Sequence, residues 1–273
     1  MVSCPTSKNF LISLYMLDLS SSVKISGLLP DSLNLDGILN RNKLADIAQT
    51  IYDTNPNLVA QLKTDTSPVV VKWFGWRHPI HQLLSPIFLS RAQVSWTTAQ
   101  ALLNAGALTP KPIFVYTKRQ KGIIHENIFI TEAIQPHKTL RNLLKSDEKF
   151  AFFQTTITNL AISIARMHNA GIFHRDLTTG NFLVNNGGEV FIVDLNRANI
   201  FHKLSHHHRL SDLAKINIKT NDESIIRLLE ELFFNIYKKE TGIEFDWIAG
   251  YKEYQNVLLT GRRRKKQLRS LFR

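Results

Sequence analysis

Asp176, Asn181 and Asp194 are the residues of this chain whose types and spacing could do chemistry. They lie in HRDLTTGNFLVNNGGEVFIVDLNRA, from His174 to Ala198. The amide oxygen of Asn181 and the carboxylate of Asp194 are hard donors that suit Mg²⁺, an ion that usually takes one or two protein ligands and completes its shell with phosphate and water. Asp176 is then left for an acceptor hydroxyl. A carboxylate there can orient that oxygen for in-line attack and accept its proton, a role worth about 10² to 10⁴ in rate for general bases. The chemistry implied is phosphoryl transfer.

The elements that must position these groups can be read from the pattern around them. Phe182 to Val184 and Val190 to Val193 are short apolar runs separated by Asn185, Asn186, Gly187 and Gly188, which predicts a β-hairpin with a glycine turn. Asp176 and Asn181 precede its first strand and Asp194 follows its second, so all three should meet at the open end. The bland alternative is that such residues only form turns; five identities at the right spacing, counting His174 and Arg175, argue against it. Upstream, Phe153, Ile157, Leu160, Ala161, Ile164 and Met167 recur at helical spacing and predict a core helix that delivers the loop. Downstream, Ile225, Leu228, Leu229, Leu232, Phe233 and Ile236 predict another, with Glu230 and Glu231 on its solvated face. Asp212 is expected to cap a helix, bracing of the loop being the other role open to it. His206, His207 and His208 are expected in a solvated loop, because adjacent histidines do not converge on one metal.

At His174, Arg175, Asp176, Leu177 and Asn181 the chain resembles the protein-kinase-like superfamily. Asp194 takes the place of the first residue of its Asp-Phe-Gly motif, here Asp194, Leu195, Asn196, and Thr178 stands where protein Ser/Thr kinases place a lysine. HRDLTTGNFLV with VDLNRA, and SRAQVSW with GALTPKP, are similar to the lipopolysaccharide kinase (Kdo and heptose kinase) family. The resemblance implies an α+β, two-lobed protein-kinase-like fold with a small β-rich N-lobe and a larger mainly helical C-lobe. It also implies ATP and Mg²⁺ as cofactors in a cleft between the lobes, and transfer of the γ-phosphate to a Kdo or heptose hydroxyl of the lipopolysaccharide inner core. A protein or other small-molecule kinase, and an inactive kinase-like scaffold, are the competing readings.

On that resemblance the small lobe begins with strands at Leu44 to Tyr52, Leu58 to Lys63 and Pro68 to Phe74. Lys72 then matches the third-strand lysine that binds nucleotide phosphates, and Glu132, Ala133 and Ile134 form a hinge whose backbone faces adenine. Two departures are visible. No glycine occurs from Ile38 to Phe74, so the turn Asp53 to Asn57 must use Thr54, Asn55 or their amides, or grip less closely. The helix expected from Ser90 to Ala105, with Trp96, Ala99 and Leu103 on one face and Gly106 as its stop, contains no acidic residue; Gln93 or Gln100 is left to orient Lys72. The domains expected are an N-terminal extension over 1–43, small lobe 44–134, large lobe 135–261 and basic tail 262–273.

Composition bounds the rest. At 273 residues and 44% hydrophobic content the chain can bury a sizeable core, which excludes wholesale disorder. All nine prolines lie at or before Pro136, leaving the second half free to be helical and without an Ala-Pro-Glu segment after Asp194, which argues for a sugar or other small alcohol as acceptor. Cys4 is the one cysteine, so no internal disulfide forms and a reducing, cytoplasmic setting is expected. Phe10 to Leu17 is interrupted by Ser13, followed by Asp18, and not read as a signal peptide; no apolar run approaches the ~18 residues of a membrane span. A net charge of +12 favours a polyanionic partner. The cluster Arg262, Arg263, Arg264, Lys265, Lys266, with Arg269 and Arg273, is expected to draw the enzyme to the inner face of the cytoplasmic membrane and its lipid-linked sugar substrate, where each cation contributes about 1 kcal/mol; nucleic acid is not expected as a partner.

Overall fold

The computed structural model describes residues 17–18, 21–87, 89–146, 150–216, 223 and 227–271. It divides into two compact units, Met1–Trp96 with Pro112–Ala133, and Thr97–Lys111 with Ile134–Arg273.

The first unit is built on period-two alternation. Strands β1 (Leu17–Asp18), β2 (Ser21–Gly27), β3 (Thr50–Asp53), β4 (Leu58–Leu62), β5 (Val69–Trp73), β6 (Pro112–Gln120) and β7 (Ile123–Glu132) form an antiparallel sheet in the order β1-β2-β6-β7-β5-β4-β3. Leu58, Ala60 and Leu62, Val69 and Val71, Phe114 and Tyr116, and Ile128 and Ile130 alternate onto one face, where Ile38 and Leu44 cover them. Those two come from α1 (Leu35–Leu39) and α2 (Arg41–Asp46). The strand expected from Leu44 to Tyr52 is therefore corrected: Asn40 accepts from the N–H groups of Asn42 and Lys43 at 3.0 and 3.2 Å, this cap starts a helix, and extended backbone begins only at Thr50. Ser21–Gly27, read from sequence as part of a motif-free extension, is a full strand paired with β6.

Helix α4 (Arg91–Asn104) starts as its residues predict, with Ser90 Oγ accepting from Gln93 N–H at 3.0 Å. It stops in a Schellman pattern, Gly106 N–H to Leu103 O and Ala107 N–H to Leu102 O, both 3.0 Å, with Gly106 at φ +72. Its buried face differs from the one expected. Ala92, Ala99 and Leu102 are fully buried, while Leu103 is 37% exposed, because Asn127 Oδ1 receives Ala92 N–H at 3.0 Å and sets the helix rotation one residue away.

In the second unit α6 (Phe150–Asn169) runs through the core, burying Ile157, Leu160, Ala161, Ile164 and Met167 completely and Phe153 nearly so. It is preceded by β8 (His137–Thr139) and α5 (Leu140–Leu143) and followed by β9 (Ile172–Phe173), β10 (Phe182–Asn185), β11 (Val190–Ile192) and β12 (Asn199–Ile200). The strands form the sheet β11-β10-β8 and the pair β12-β9.

Helix α7 (His206–Leu213) corrects the loop expected at His206 to His208. Ser205 caps it through His208 N–H at 3.3 Å, and the rings of His206 and His208 pack on Phe245 and Phe201 at 4.7 and 4.9 Å. Leu228–Phe233 is a π-helical segment leading into α8 (Phe234–Thr241), and α9 (Trp247–Leu271) closes the chain; Ile225 lies outside the described residues. Backbone of the basic cluster belongs to α9, while the side chains from Arg262 onward, Arg273 itself and the segment from Phe10 to Met16 lie outside what is described. No helix of the described residues is long and apolar enough to cross a membrane.

Candidate active site

The hairpin forms with the register its sequence predicts: Phe182 opposite Ile192, Leu183 opposite Phe191, Val184 opposite Val190. Its turn is closed by Asn185, whose Oδ1 accepts from Gly187 and Glu189 N–H at 3.0 Å each, with Gly188 at φ +75. At the open end Val193 N–H donates to Asn181 O at 3.0 Å, which ties the residue before Asp194 to Asn181. Asn181 Nδ2 in turn donates to the Asp176 carbonyl at 2.7 Å, and Thr178 N–H donates to the same carbonyl at 2.8 Å. The second unit thus brings Asp176, Asn181 and Asp194 to one hairpin mouth. With Nδ2 used internally, Oδ1 is the atom Asn181 could offer a cation; with the Asp194 carboxylate it would make an all-oxygen donor set of the kind that suits Mg²⁺.

Two residues at the mouth hold left-handed backbone, Arg175 at φ +68 and Asp194 at φ +65. Aspartate is enriched there; arginine is not, and such a position costs about 1–3 kcal/mol unless its surroundings hold it. What holds Arg175 is Asp212. Its Oδ2 accepts from His174 N–H at 2.7 Å and its Oδ1 from Arg175 N–H at 2.9 Å, in a site with no solvent exposure. The capping role expected for Asp212 is therefore corrected to the bracing one. His174 completes the frame: Nε2 lies 3.0 Å from the Val193 carbonyl and Nδ1 3.3 Å from Asp176 N–H, so the Nε2–H tautomer satisfies both contacts and links loop to hairpin.

Behind Asp212 lies a buried polar chain. His168 Nε2 is 3.6 Å from Asp212 Oδ2, too long for a hydrogen bond, and His168 Nδ1 is 2.7 Å from the Tyr237 hydroxyl. Arg209, 3% exposed, reaches the same hydroxyl at 3.4 Å and Asn169 Oδ1 at 3.2 Å. Burial holds His168 below the usual imidazole range, assisted by the positive charge of Arg209 and opposed by Asp212. Burial alone would raise the Asp212 carboxyl; His168, His174 and Lys215 more than offset it and hold it below the usual carboxylate range. Burial also raises the Tyr237 hydroxyl, which keeps it a donor.

Sequence reasoning missed Arg197. Leu195, 3% exposed, anchors a short 3₁₀ turn over Leu195–Arg197, and this turn brings Arg197 Nη1 to 3.4 Å from Asp176 Oδ2. Asn196, at the glycine position of the superfamily motif, donates from Nδ2 to Asp194 Oδ1.

In the first unit Lys72 lies on β5 opposite Val59 and Phe129, its ammonium 5.2 Å from the centre of the Phe74 ring. Glu132 ends β7, its carbonyl accepting from the Thr131 hydroxyl at 3.1 Å. Ile134 begins the longer segment of the second unit, and its carbonyl is bonded by the His137 ring. The glycine-free turn after β3 is held by two arginines that the sequence did not flag. Arg41 donates to the carbonyls of Thr54 and Pro56, the latter at 2.9 Å, and Arg91 donates to Asn57 Oδ1 at 3.4 Å and to Gly75 O. Gly75 is required by this packing, since a Cβ there would lie 1.9 Å from the Pro56 carbonyl oxygen.

Comparison with known proteins bears on this geometry. A sequence model of the lipopolysaccharide kinase (Kdo/WaaP) family matches residues 74–234. Over 108 residues, 40% of this chain and 44% of the relative, the chain is 26% identical to a 3-deoxy-D-manno-octulosonic acid kinase of Vibrio vulnificus strain CMCP6. A kinase of the same name from Vibrio parahaemolyticus is 28% identical over 35% of this chain and 39% of its own length. These matches span less than half the length of the curated relatives. A probable cyclin-dependent serine/threonine-protein kinase of Dictyostelium discoideum is 50% identical over 42 residues, 15% of this chain and 7% of that protein. In fold, the chain is similar to the solved structure of WaaP in complex with acyl carrier protein, with a TM-score of 0.56, 16% identity, and coverage of 90% of this chain and 99% of that one. The fold is the α+β protein-kinase-like one.

Proposed function

Because the chain belongs to the lipopolysaccharide kinase (Kdo/WaaP) family, we propose that it transfers the γ-phosphate of ATP to a Kdo or heptose hydroxyl of the lipopolysaccharide inner core. The observation that carries this reading is the hairpin mouth, where the Asn181 Nδ2 bond to the Asp176 carbonyl and the Val193 bond to the Asn181 carbonyl hold Asp176, Asn181 and the residue before Asp194 at one end of the hairpin.

Asp176 orients the acceptor hydroxyl and takes its proton. Asn181 Oδ1 and the Asp194 carboxylate hold Mg²⁺, which when bound neutralises phosphate charge. Lys72 neutralises nucleotide phosphates, and the backbone at Glu132 and Ile134 meets the adenine. Arg197 supplies a positive charge next to Asp176, and Thr178, where protein Ser/Thr kinases place a lysine, supplies none. Phosphoryl transfer needs little covalent help from protein, so positioning and charge neutralisation supply most of the rate. The acceptor is lipid-linked, and the basic C-terminal residues hold the enzyme peripherally at the anionic inner face of the cytoplasmic membrane.

A protein-kinase reading is favoured by the short match to the cyclin-dependent kinase and disfavoured by Thr178 and the missing Ala-Pro-Glu segment. Labelled-phosphate transfer from ATP to purified core glycolipid, beside a generic protein acceptor and the Asp176→Ala variant, separates them. The glycolipid is expected to be labelled, the protein not, and the variant nearly inactive. Labelling of protein alone would replace the acceptor, and equal labelling by the variant would remove Asp176 from its role.

A further inference from the structure

In the first unit, helix α3 (Pro79–Leu83) is amphipathic in the wrong sense for a surface in water. Gln82 and Ser85 face the protein: Gln82 Nε2 donates to the Ile124 carbonyl at 3.1 Å, and Ser85 Oγ, in a residue 1% exposed, accepts Ile124 N–H at 2.8 Å. Ile80, Leu83 and Leu84, spaced to share one helix face, point outward at 55, 59 and 48% exposure, and Leu89 follows at 69%. A ridge of exposed aliphatic side chains backed by inward hydrogen bonds is held out, because turning it inward would break the contacts to β7.

The surroundings of the ridge are cationic. Arg77 and His78 are exposed and lead into α3, and His81 is exposed within it. Arg119 donates to the Ser85 carbonyl at 3.0 Å, and the exposed turn Lys121–Gly122 abuts Pro86, so that a Cβ on Gly122 would lie 3.5 Å from Pro86 Cβ. The sequence from Thr66 to His125 contains Lys72, Arg77, Arg91, Lys111, Lys118, Arg119 and Lys121 and no Asp or Glu. The nearest carboxylate on β7, Glu126, is paired with Lys118 at 3.4 Å.

We propose that the ridge Ile80, Leu83, Leu84 and Leu89 is a membrane-docking element that inserts into an anionic bilayer while the exposed Arg77 and Lys121 meet the lipid headgroups and Arg119, bonded to the Ser85 and Gly122 carbonyls, ties the Lys121 turn to the ridge. Apolar area supplies depth and the cations supply attraction to negative headgroups, the two contributions that bind interfacial helices. The cationic surroundings, with the one neighbouring β7 carboxylate already paired to Lys118, select an anionic lipid surface over a neutral apolar partner. The inference deepens the lipid-linked acceptor reading, on which it rests for the choice of a bilayer, and adds a contact separate from the C-terminal basic residues.

Co-sedimentation of the full chain with phosphatidylglycerol vesicles and with phosphatidylcholine vesicles, without nucleotide or glycolipid, tests it independently of kinase activity. Binding to the anionic vesicles is expected, weaker with rising salt, and Leu83→Glu with Leu84→Glu should lower it at least about tenfold, since the partition free energy of each exposed leucine is on that order. Leu84→Trp should keep binding and show a blue-shifted emission on vesicle addition. Wild-type affinity in the double-glutamate variant would overturn the proposal. So would an unshifted Leu84→Trp emission, or a concentration-dependent dimer that the same glutamates dissociate, which would make the ridge a self-association face.

Discussion

Arg197 Nη1 stands 3.4 Å from Asp176 Oδ2, joining the residue three past the second metal-ligand candidate to the candidate base. Both side chains are partly solvent-exposed, so the pair contributes little to stability; on the proposed reading its value is charge next to the acceptor oxygen. Arg197→Ala should lower kcat about 10- to 100-fold, less than the roughly 10² to 10³ for losing one preorganised donor in a water-excluded site because Arg197 is exposed, with the melting temperature nearly unchanged. Arg197→Lys should recover part of the loss. Steady-state labelling kinetics check both, and an unchanged kcat in Arg197→Ala would make the pair a surface contact only.

Asp212 accepts two consecutive backbone N–H groups in a fully buried site. Asp212→Ala leaves those donors, and the left-handed backbone at Arg175, without their anchor. The expected destabilisation is about 3–5 kcal/mol, the range for removing one partner of a buried charged network, read as a lower urea midpoint. At temperatures where the variant stays folded, kcat should fall because Asp176 loses its fixed place.

Stability should fall on acidification below pH 6.5, the ordinary imidazole value from which His168 is lowered. A base with a depressed folded-state pKa is protonated more readily in the unfolded chain, so the unfolded state binds the extra proton and gains as pH drops from 6.5 toward the folded value. The limit is about 1.4 kcal/mol per pH unit for one such group. Asp212 adds its own loss only at lower pH, below the ordinary carboxylate value of 3.8 and through its depressed folded value. Urea unfolding between pH 7 and 5 measures the first effect, and His168→Gln should flatten it.

Asp194→Asn keeps the shape of the hairpin mouth and removes one of its two carboxylate charges. Phosphoryl transfer should drop about 10³-fold or more, and Mg²⁺-dependent nucleotide binding, followed by calorimetry, should be largely lost, since Mg²⁺ sites rely on one or two carboxylates. Asn181→Ala should weaken metal dependence too and also loosen Asp176, whose carbonyl loses the 2.7 Å bond.

On the proposed reading the turn from Asp53 to Asn57 covers the nucleotide phosphates in place of a glycine-rich loop, and Gly75→Ala tests it. Its Cβ would collide with the Pro56 carbonyl, displacing the backbone that Arg41 and Arg91 hold. The KM for ATP should rise about tenfold with a smaller change in kcat, the pattern for lost binding shared by ground state and transition state.

What the sequence determined by itself was local. The hairpin, its glycine turn, the Ser90 cap, the Gly106 stop and the core face of α6 depend on residues within a few positions of one another, so spacing and residue type suffice to specify them. The meeting of Asp176, Asn181 and Asp194 follows from the hairpin for the same reason. Other features depended on partners distant in the chain. Asp212 reaches back to His174, Arg41 and Arg91 close on a turn from two different helices, and Leu44 becomes helical because Asn40 caps it and the sheet buries it. Which face of α4 is buried, and the outward set of Ile80, Leu83 and Leu84, were likewise decided by hydrogen bonds to β7. A one-dimensional pattern carries no record of which distant donor meets which acceptor; that pairing is made only when packing and the satisfaction of buried polar groups are solved together.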